Sequence, residues 1–427
     1  MGRLSGMESI STTVAIAGGG PAGMMLGLLL ARAGIDVVVL EKHKDFLRDF
    51  RGDTIHPSTL EVIAELGLIE RFLQRPHQEA REISAEIGKE TFRIADFSHL
   101  PTRCKFLGFM PQWEFLDFLA TEACRYPTFH VMMEAEATEL LAKGRRIVGL
   151  QAKTKDGPCN VLAALTIGAD GRHSVVRARA ALKVVDLGAP FDVLWLKLPA
   201  EHGDPTEPVG RFQGGQFFIM LYRGDYWQCA MIIPKGGFAK IKAEGLSGFR
   251  VRLRSVAGFA RDRVDSIESF DEIALLTVKI DRLVRWARPG LLCIGDAAHA
   301  MSPVGGVGIN LAIQDAVATA NLLERILREH RLPSLKELDR VQKRRQWPTK
   351  VTQGFQLQVQ NRVLVPSFQR QATPKPPSVL RLLDRVPWLR RIPARVVGLG
   401  LRPEHVRTGE HVAPTGGDAA LTQTAAS

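Results

Sequence analysis

The chain has 427 residues, 45% of them hydrophobic and 24% charged, with a formal net charge of +12. At about 100–200 residues per domain this length supports two to three domains, each able to bury a core, and the charged fraction is ordinary for a globular protein. The basic balance could attract nucleic acid, an anionic membrane or acidic cofactors, but no run of five or six like charges occurs, so a solvated basic surface is the simpler reading and no nucleic-acid partner is expected.

Residues 12–41 read as strand, tight turn, helix and strand. TVAIA is rich in β-formers, GGGPAG is the turn, MMLGLLLARAG is a helix ending at Gly34, and DVVVLE is the second strand. The apolar stretch from Val14 to Ala33 is broken by that turn, so it cannot be one membrane span. The N-terminus is short of charge and has no small-residue cleavage site, which argues against a signal peptide. Residues 57–75 read as one amphipathic helix, with Pro57 near its first turn and Ser58 and Thr59 available as caps. Residues 112–125 read as another helix.

Residues 131–170 alternate in β fashion and end in LAALTIGAD. Residues 190–235 carry FDVLWLKL, GQFFIML and YWQCAMII, a pattern of strands with one face buried. A helical patch near 245–260 and a strand near 273–280 follow. GLLCIGDAA reads as strand and turn from Gly290, and 308–329 as a long helix. Further helices rich in Arg and Pro come after Arg331, and the tail from about Thr408 is expected to be disordered. Cys104, Cys124, Cys159, Cys229 and Cys293 are odd in number, widely spaced and form no C-x-x-C. That pattern fits reduced thiols in a cytoplasmic protein better than a disulfide framework or a structural metal site.

Gly18, Gly20 and Gly23 satisfy G-x-G-x-x-G between a strand and a helix. The first glycine permits the turn, the second lets backbone approach a pyrophosphate, and the third lets helix and strand pack closely. The helix that follows aims free N–H groups and its positive end at the phosphates. Glu41, at the end of the second strand, can accept hydrogen bonds from ribose hydroxyls and disfavours a 2′-phosphate. This motif alone does not separate FAD from NAD. A second segment, GADGRHSVVR, places Asp170 and Gly171 after an apolar strand; taken alone it could be an ordinary Asp-Gly turn. A third, GDAAHAMSPVGGVGINLAIQDA, sets Gly295 and Asp296 after a strand and leads through Gly305, Gly306 and Gly308 into a helix whose N-terminus can stabilise negative charge on a ring system.

In this order and at these separations, the three segments resemble the para-hydroxybenzoate hydroxylase fold family of FAD-dependent monooxygenases over roughly residues 12–345. The resemblance implies an α/β fold: a Rossmann-like FAD-binding domain (10–75, 100–182 and 286–345), an inserted, predominantly β-sheet substrate domain (76–99 and 183–285) and a C-terminal helical region (346–407), with a tail at 408–427. It implies FAD held by Gly18, Gly20, Pro21, Ala22, Gly23, Glu41, Lys42, Arg51, Gln112, Asp170, Gly171, Gly295, Asp296, Pro303, Gly306, Gly308, Ile309 and Asn310. In that set Asp296 meets the ribityl chain, and the Pro303–Gly308 segment lies beside the flavin ring.

The implied chemistry is reduction of FAD by transiently docked NADH or NADPH, then transfer of one oxygen atom from O2 through a flavin C4a-hydroperoxide to an aromatic or other hydrophobic small molecule. Besides Pro303, Gly305 and Gly306, the pocket candidates are His56 and Arg223. Trp195, Phe212, Phe217, Phe218, Tyr222 and Trp227 lie on the substrate strands, where alternation sends half of them into the core regardless of function. Rival readings are a flavin reductase of polyprenyl chains, a flavin halogenase and a flavin-bound scaffold without turnover. The halogenase W-x-W-x-I-P motif is absent: the comparable stretch is CAMIIP, Cys229 to Pro234. Finally, residues 379–402 interleave apolar residues with arginines. Pro387 and Pro393 make two short helices the expectation there, either packed on the FAD domain or lying on the inner face of a membrane.

Overall fold

Val14, Ala15, Ile16 and Ala17 have no exposed surface, because the strand they end, Glu8–Ala17, lies inside an eight-stranded sheet. A computed structural model describes residues 8–47, 54–370 and 376–411. The main path of the sheet runs Ala287–Arg288, Leu291–Cys293, Gly157–Gly168, Glu8–Ala17, Val37–Leu40, Phe129–Met132. The last five of these are parallel to one another, and Arg146–Thr154 and Glu136–Lys143 add an antiparallel ribbon. Strands buried on both faces read as continuous apolar runs, which is why VVVL is buried throughout. The helices Pro21–Arg32 and Gly308–Arg328 pack together, and both bury apolar faces in the cluster that holds this sheet.

A seven-stranded sheet runs Ala274–Leu276, Phe191–Pro199, Tyr226–Pro234, Gln216–Tyr222, Val209–Gln213, Glu82–Ile87, Glu90–Asp96. Its two faces are covered differently. Leu194, Phe218, Trp227 and Met231 pack with residues of the helices Phe238–Ala243 and Gly245–Arg254 and of the 3-10 segment Gly258–Ser266. On the other face, Val193, Trp195, Phe212 and Ile232 cluster with Val304, Leu357 and Leu364. Leu357 lies on the helix Leu335–Val359, which passes through a π-helical turn at Gln360–Leu364 into Val365–Arg370.

Several expected elements are shorter. The helix expected over 57–75 is two, Pro57–Glu65 and Ile69–Phe72, separated at Gly67, whose φ is 74°. Ser58 and Thr59 lie inside its first turn, and the cap position is His56. The strand expected near 273–280 is only Ala274–Leu276. The tail expected to be disordered from Thr408 is held at its start: His411 N–H bonds to the carbonyl of Arg32, and Glu410 pairs with Arg32 at 3.2 Å. Residues 412–427 lie outside the described residues. At the C-terminus the helix Ser378–Arg385 is followed by a 3-10 turn, Pro387–Arg390, and the helix Arg391–Leu399; the first helix breaks before Pro387 as expected, but Pro393 falls in the first turn of the last helix and does not interrupt it.

Candidate functional site

Strand ends align along one edge of the eight-stranded sheet. Ala17 stands opposite Leu40 and Gly168, Leu40 opposite Met132, and Gly168 opposite Cys293. Gly18–Gly23, Glu41, Asp170–Gly171 and Gly295–Asp296 all leave from this edge, the side on which open α/β sheets take ligands. Segments far apart in sequence therefore converge because parallel pairing puts their carboxyl ends together.

The glycines of the first turn have different reasons. Gly18 has φ 103°, and a Cβ there would sit 2.4 Å from the Ala169 carbonyl oxygen. A Cβ on Gly23 would sit 2.0 Å from the Gly18 carbonyl oxygen. Gly20 is otherwise: its φ is −77°, and a Cβ would meet no protein atom within 4 Å. Protein packing does not require glycine at 20, so a cradle for a group approaching the turn accounts for it. The helix Pro21–Arg32 starts here with no side-chain cap and no acid in its first turn, leaving its N–H groups and positive end available to an anion. Ala22 is buried, and its Cβ would lie 3.1 Å from a Cβ on Gly295, so the first and third segments touch.

Glu41 is buried and braces the turn: its carboxylate accepts the N–H groups of Gly19 and His43, each at 3.0 Å, and lies 2.5 Å from His43 Nδ1. Lys42 is exposed. Gln112 is half-buried and opens the helix Gln112–Ala123 without a side-chain cap. Arg51 lies outside the described residues.

Asp170 is engaged by its own turn. Its carboxylate accepts the Ser174 hydroxyl at 2.5 Å and the Val176 N–H at 3.0 Å, while burial pushes its pKa up against those bonds. Gly171 follows with φ 82°. Arg172 then reaches to 3.7 Å from Asp296, which is partly exposed at the sheet edge. Asp296 sits in a turn held from two sides. On one, buried Arg177 pairs with both oxygens of Asp281 at 3.0 Å and donates to the Ala297 carbonyl at 3.4 Å. On the other, Asp315 Oδ2 accepts the Gly295 N–H at 3.1 Å and lies 2.6 Å from His299 Nε2, while its Oδ1 accepts Arg345 Nε at 3.1 Å. Burial alone would raise the Asp315 carboxyl, but His299 and Arg345 hold it below the usual carboxylate range. Arg345 also bonds the Arg402 carbonyl and Glu404, which ties the final segment to this turn.

The loop after Pro303, which is exposed, turns through Gly305 and Gly306 with φ 80° and 62°. A Cβ on Gly306 would lie 2.8 Å from Thr54 Oγ1, so strand and loop approach closely. The helix Gly308–Arg328 then begins with no side-chain cap and no acid in its first turn, and a Cβ on Gly308 would meet nothing. Ile309 is half-buried. Asn310 is a four-way tie: its Oδ1 accepts the His56 N–H at 2.8 Å and the Thr59 hydroxyl at 2.7 Å, and its Nδ2 donates to the carbonyls of Thr54 at 3.1 Å and Gly306 at 3.3 Å. Two glycine cradles and two uncapped helix starts are the features an FAD needs at its pyrophosphate and its ring.

His56 is buried beside this loop. Its Nδ1–H donates to the Val397 carbonyl at 2.7 Å, and Nε2 has no hydrogen-bond partner. Burial pushes its pKa down to about 4, against the carbonyls of Val397, Gly305 and Gly306, so the ring is neutral at pH 7. Arg223 donates to Gln228, which alternates with Trp227 and so lies on the sheet face of Ala230 and Ile232. The six aromatic candidates divide evenly. Trp195, Phe212 and Phe217 face Val304, whereas Phe218, Tyr222 and Trp227 pack on the opposite face. The buried Trp195 Nε1 and both polar atoms of the Gln360 amide have no hydrogen-bond partner.

Sequence reasoning missed the roles of His299, Asp315, Arg345 and Glu404. Asp315 had a signal, an acid on the apolar stripe of GINLAIQDAVATA; Arg345 and Glu404 had none.

Comparison with known proteins adds four findings. The family model described as FAD binding domain matches residues 11–354. A 6-methylpretetramide 4-monooxygenase from Streptomyces rimosus is 32% identical over 400 residues, covering 91% of this chain and 93% of that protein. A rifampicin monooxygenase from Streptomyces venezuelae is 29% identical over 327 residues, 71% of this chain and 62% of that protein. Among solved structures, p-nitrophenol 4-monooxygenase PnpA from Pseudomonas putida DLL-E4 shares the fold with TM-score 0.73 at 18% identity, covering 91% of this chain and 97% of that one.

Proposed function

The chain belongs to the FAD-binding domain family, and from that premise we infer that it is an FAD-dependent monooxygenase that uses NADH or NADPH and inserts one atom of O2 into a small aromatic substrate. The observation that carries the cofactor is Gly20, a glycine whose own protein surroundings do not require it. Full-length similarity to a monooxygenase carries the reaction. FAD supplies the redox chemistry and the activation of oxygen; the chain binds, orients and encloses.

In this reading the N–H groups of Gly20, Ala22 and Gly23 would hold the pyrophosphate, with Pro21, which has no N–H of its own, fixing the start of the helix. Glu41 takes the ribose hydroxyls while bracing Gly19, and Asp296 takes the ribityl chain. Lys42, Gln112 and Gly171 would line the approach to the phosphates. Asp170 acts through its turn, which sets Arg172 beside Asp296. Pro303, Gly305, Gly306 and Gly308 would hold the ring, and the uncapped helix start at Gly308, with Ile309, would stabilise negative charge on it. Asn310 fixes that loop against Thr54 and His56.

The substrate would lie between the loop and the face carrying Trp195, Phe212 and Phe217, where apolar walls exclude water. The unpartnered Trp195 Nε1 and Gln360 amide favour a substrate with polar substituents on an apolar frame, since a buried polar group without a partner costs about 1–3 kcal/mol. The corresponding domain boundaries are those proposed from the sequence. The test is NADH or NADPH oxidation by the FAD-loaded protein against a panel of phenols and fused-ring polyphenols. A compound that accelerates flavin reduction and is recovered hydroxylated supports the reading. Steady reduction of a polyprenyl double bond, with no oxygenated product from any compound, would replace it with the reductase.

A further inference from the structure

The C-terminal helices present an outer face that nothing in the described structure covers. Val379 and Leu382, three residues apart, are 56% and 51% exposed; Trp388, Ile392 and Val396, at spacings of four, are 62%, 56% and 45% exposed. Arg381, Arg385, Arg391 and Arg395 are exposed among them; Arg381 lies 3.9 Å from Glu90 and Arg391 3.2 Å from His99 Nε2, both at the surface, and the one acid of the segment, Asp384, lies 3.6 Å from Arg390. The inner face of the same segment is committed. Ala394 is buried with Phe97, Leu100 and Leu221, and a Cβ on Gly398 would lie 2.8 Å from Leu100, so the helix packs on the edge of the seven-stranded sheet and also against residues of the FAD domain, Leu100 and the helix Pro57–Glu65 among them. One turn of that helix also reaches His56, beside the loop after Pro303, through the bond from His56 to the Val397 carbonyl.

We propose that this outer face docks on an anionic lipid bilayer, with Trp388, Ile392 and Val396 in the headgroup boundary and the four arginines on lipid phosphates. Three arguments select this occupant. Charge complementarity is the first: exposed arginines interleave with large apolar side chains at helical spacing, in a chain of net charge +12. Arginine stems cover apolar surface while their heads stay at the phosphates, and tryptophan favours that boundary. The second concerns the chain's own tail, residues 412–427, which contains one leucine, no aromatic residue and no isoleucine, too little to cover the patch. The third concerns a second copy, which would bring like-charged arginines face to face across a two-fold axis. No described helix is long and apolar enough to cross a membrane, so the contact is peripheral. This surface does not depend on which reaction the flavin performs, and its test reads no turnover.

The experiment is co-sedimentation of the full-length FAD-loaded protein with phosphatidylcholine vesicles, with and without about one-third phosphatidylglycerol, at low and high salt, alongside light scattering of the free protein. The expected result is binding to the anionic vesicles alone. It should fall at least tenfold in high salt and in the R391E/R395E variant. It should be lost in W388S/I392S, with FAD content and melting temperature of both variants unchanged. Equal binding of W388S/I392S and wild type, protein in the supernatant under every condition, or a dimer that W388S/I392S converts to a monomer would each overturn the proposal, the last by giving the face to a second copy.

Discussion

Gly20 and Gly23 are glycines for separate reasons, and the difference is measurable. A Cβ at 20 meets no protein atom within 4 Å, so Gly20→Val should fold with the melting temperature of the wild-type apoprotein and contain no FAD. Valine at 23 would collide with the Gly18 carbonyl, so Gly23→Val should lose the fold as well as the cofactor. Full FAD retention by Gly20→Val would remove that residue from the site. Asp296→Ala should weaken FAD binding by about 1.5–3 kcal/mol, the loss of a charge-assisted hydrogen bond, with little effect on folding because the side chain is partly exposed; titration of apoprotein with FAD measures it.

His56 makes a prediction about acid stability. Its pKa is about 4 in the folded state against an ordinary 6.5, so the unfolded chain binds the proton more readily. The stability is fully present above pH 6.5 and is lost as the pH falls from 6.5 through about 4, a shift worth about 3 kcal/mol. Denaturant midpoints across that range should show a shallower acid limb in His56→Leu than in wild type. Parallel limbs would mean that His56 does not titrate this way. The glycine spacing and Glu41 were legible because they serve contacts within one βαβ unit. The isolation of His56 was not, because its partners Asn310 and Val397 lie 254 and 341 residues away.

At the scale of elements, a buried chain of charge joins three pieces. Asp315 on Gly308–Arg328, Arg345 on Leu335–Val359 and Glu404 near the end are all buried, with Arg345 between the two acids. Arg345→Met would leave Asp315 and Glu404 without their shared cation and should cost about 3–5 kcal/mol. The same variant should release FAD at lower denaturant than it unfolds, because Asp315 also fixes the Gly295 N–H. Simultaneous loss of FAD and fold would show that the network serves stability alone. The helices themselves were readable from apolar period and glycine stops. The break at Gly67 was not expected, because apolar residues continue at helical spacing on both sides of it.

At the scale of the molecule, local alternation located the strands between 190 and 235, but not what each face meets. Trp195 and Trp227 occupy strands of similar pattern, yet one faces Val304 and the other Phe259. That assignment depends on which side of the sheet the FAD loop approaches. The pairing of Val209–Gln213 with Glu82–Ile87 likewise joins segments over a hundred residues apart, parallel and without local signal. The order of the three glycine and aspartate segments gave the rest, because a parallel sheet brings its carboxyl ends to one edge whatever loops intervene. The central claim is that this edge holds an FAD that activates oxygen for transfer, and isotope labelling tests it most directly. Product formed from an accelerating substrate under labelled O2 should carry one labelled oxygen atom, and none when only the water is labelled; label arriving from water, or turnover without incorporation of oxygen, would contradict it.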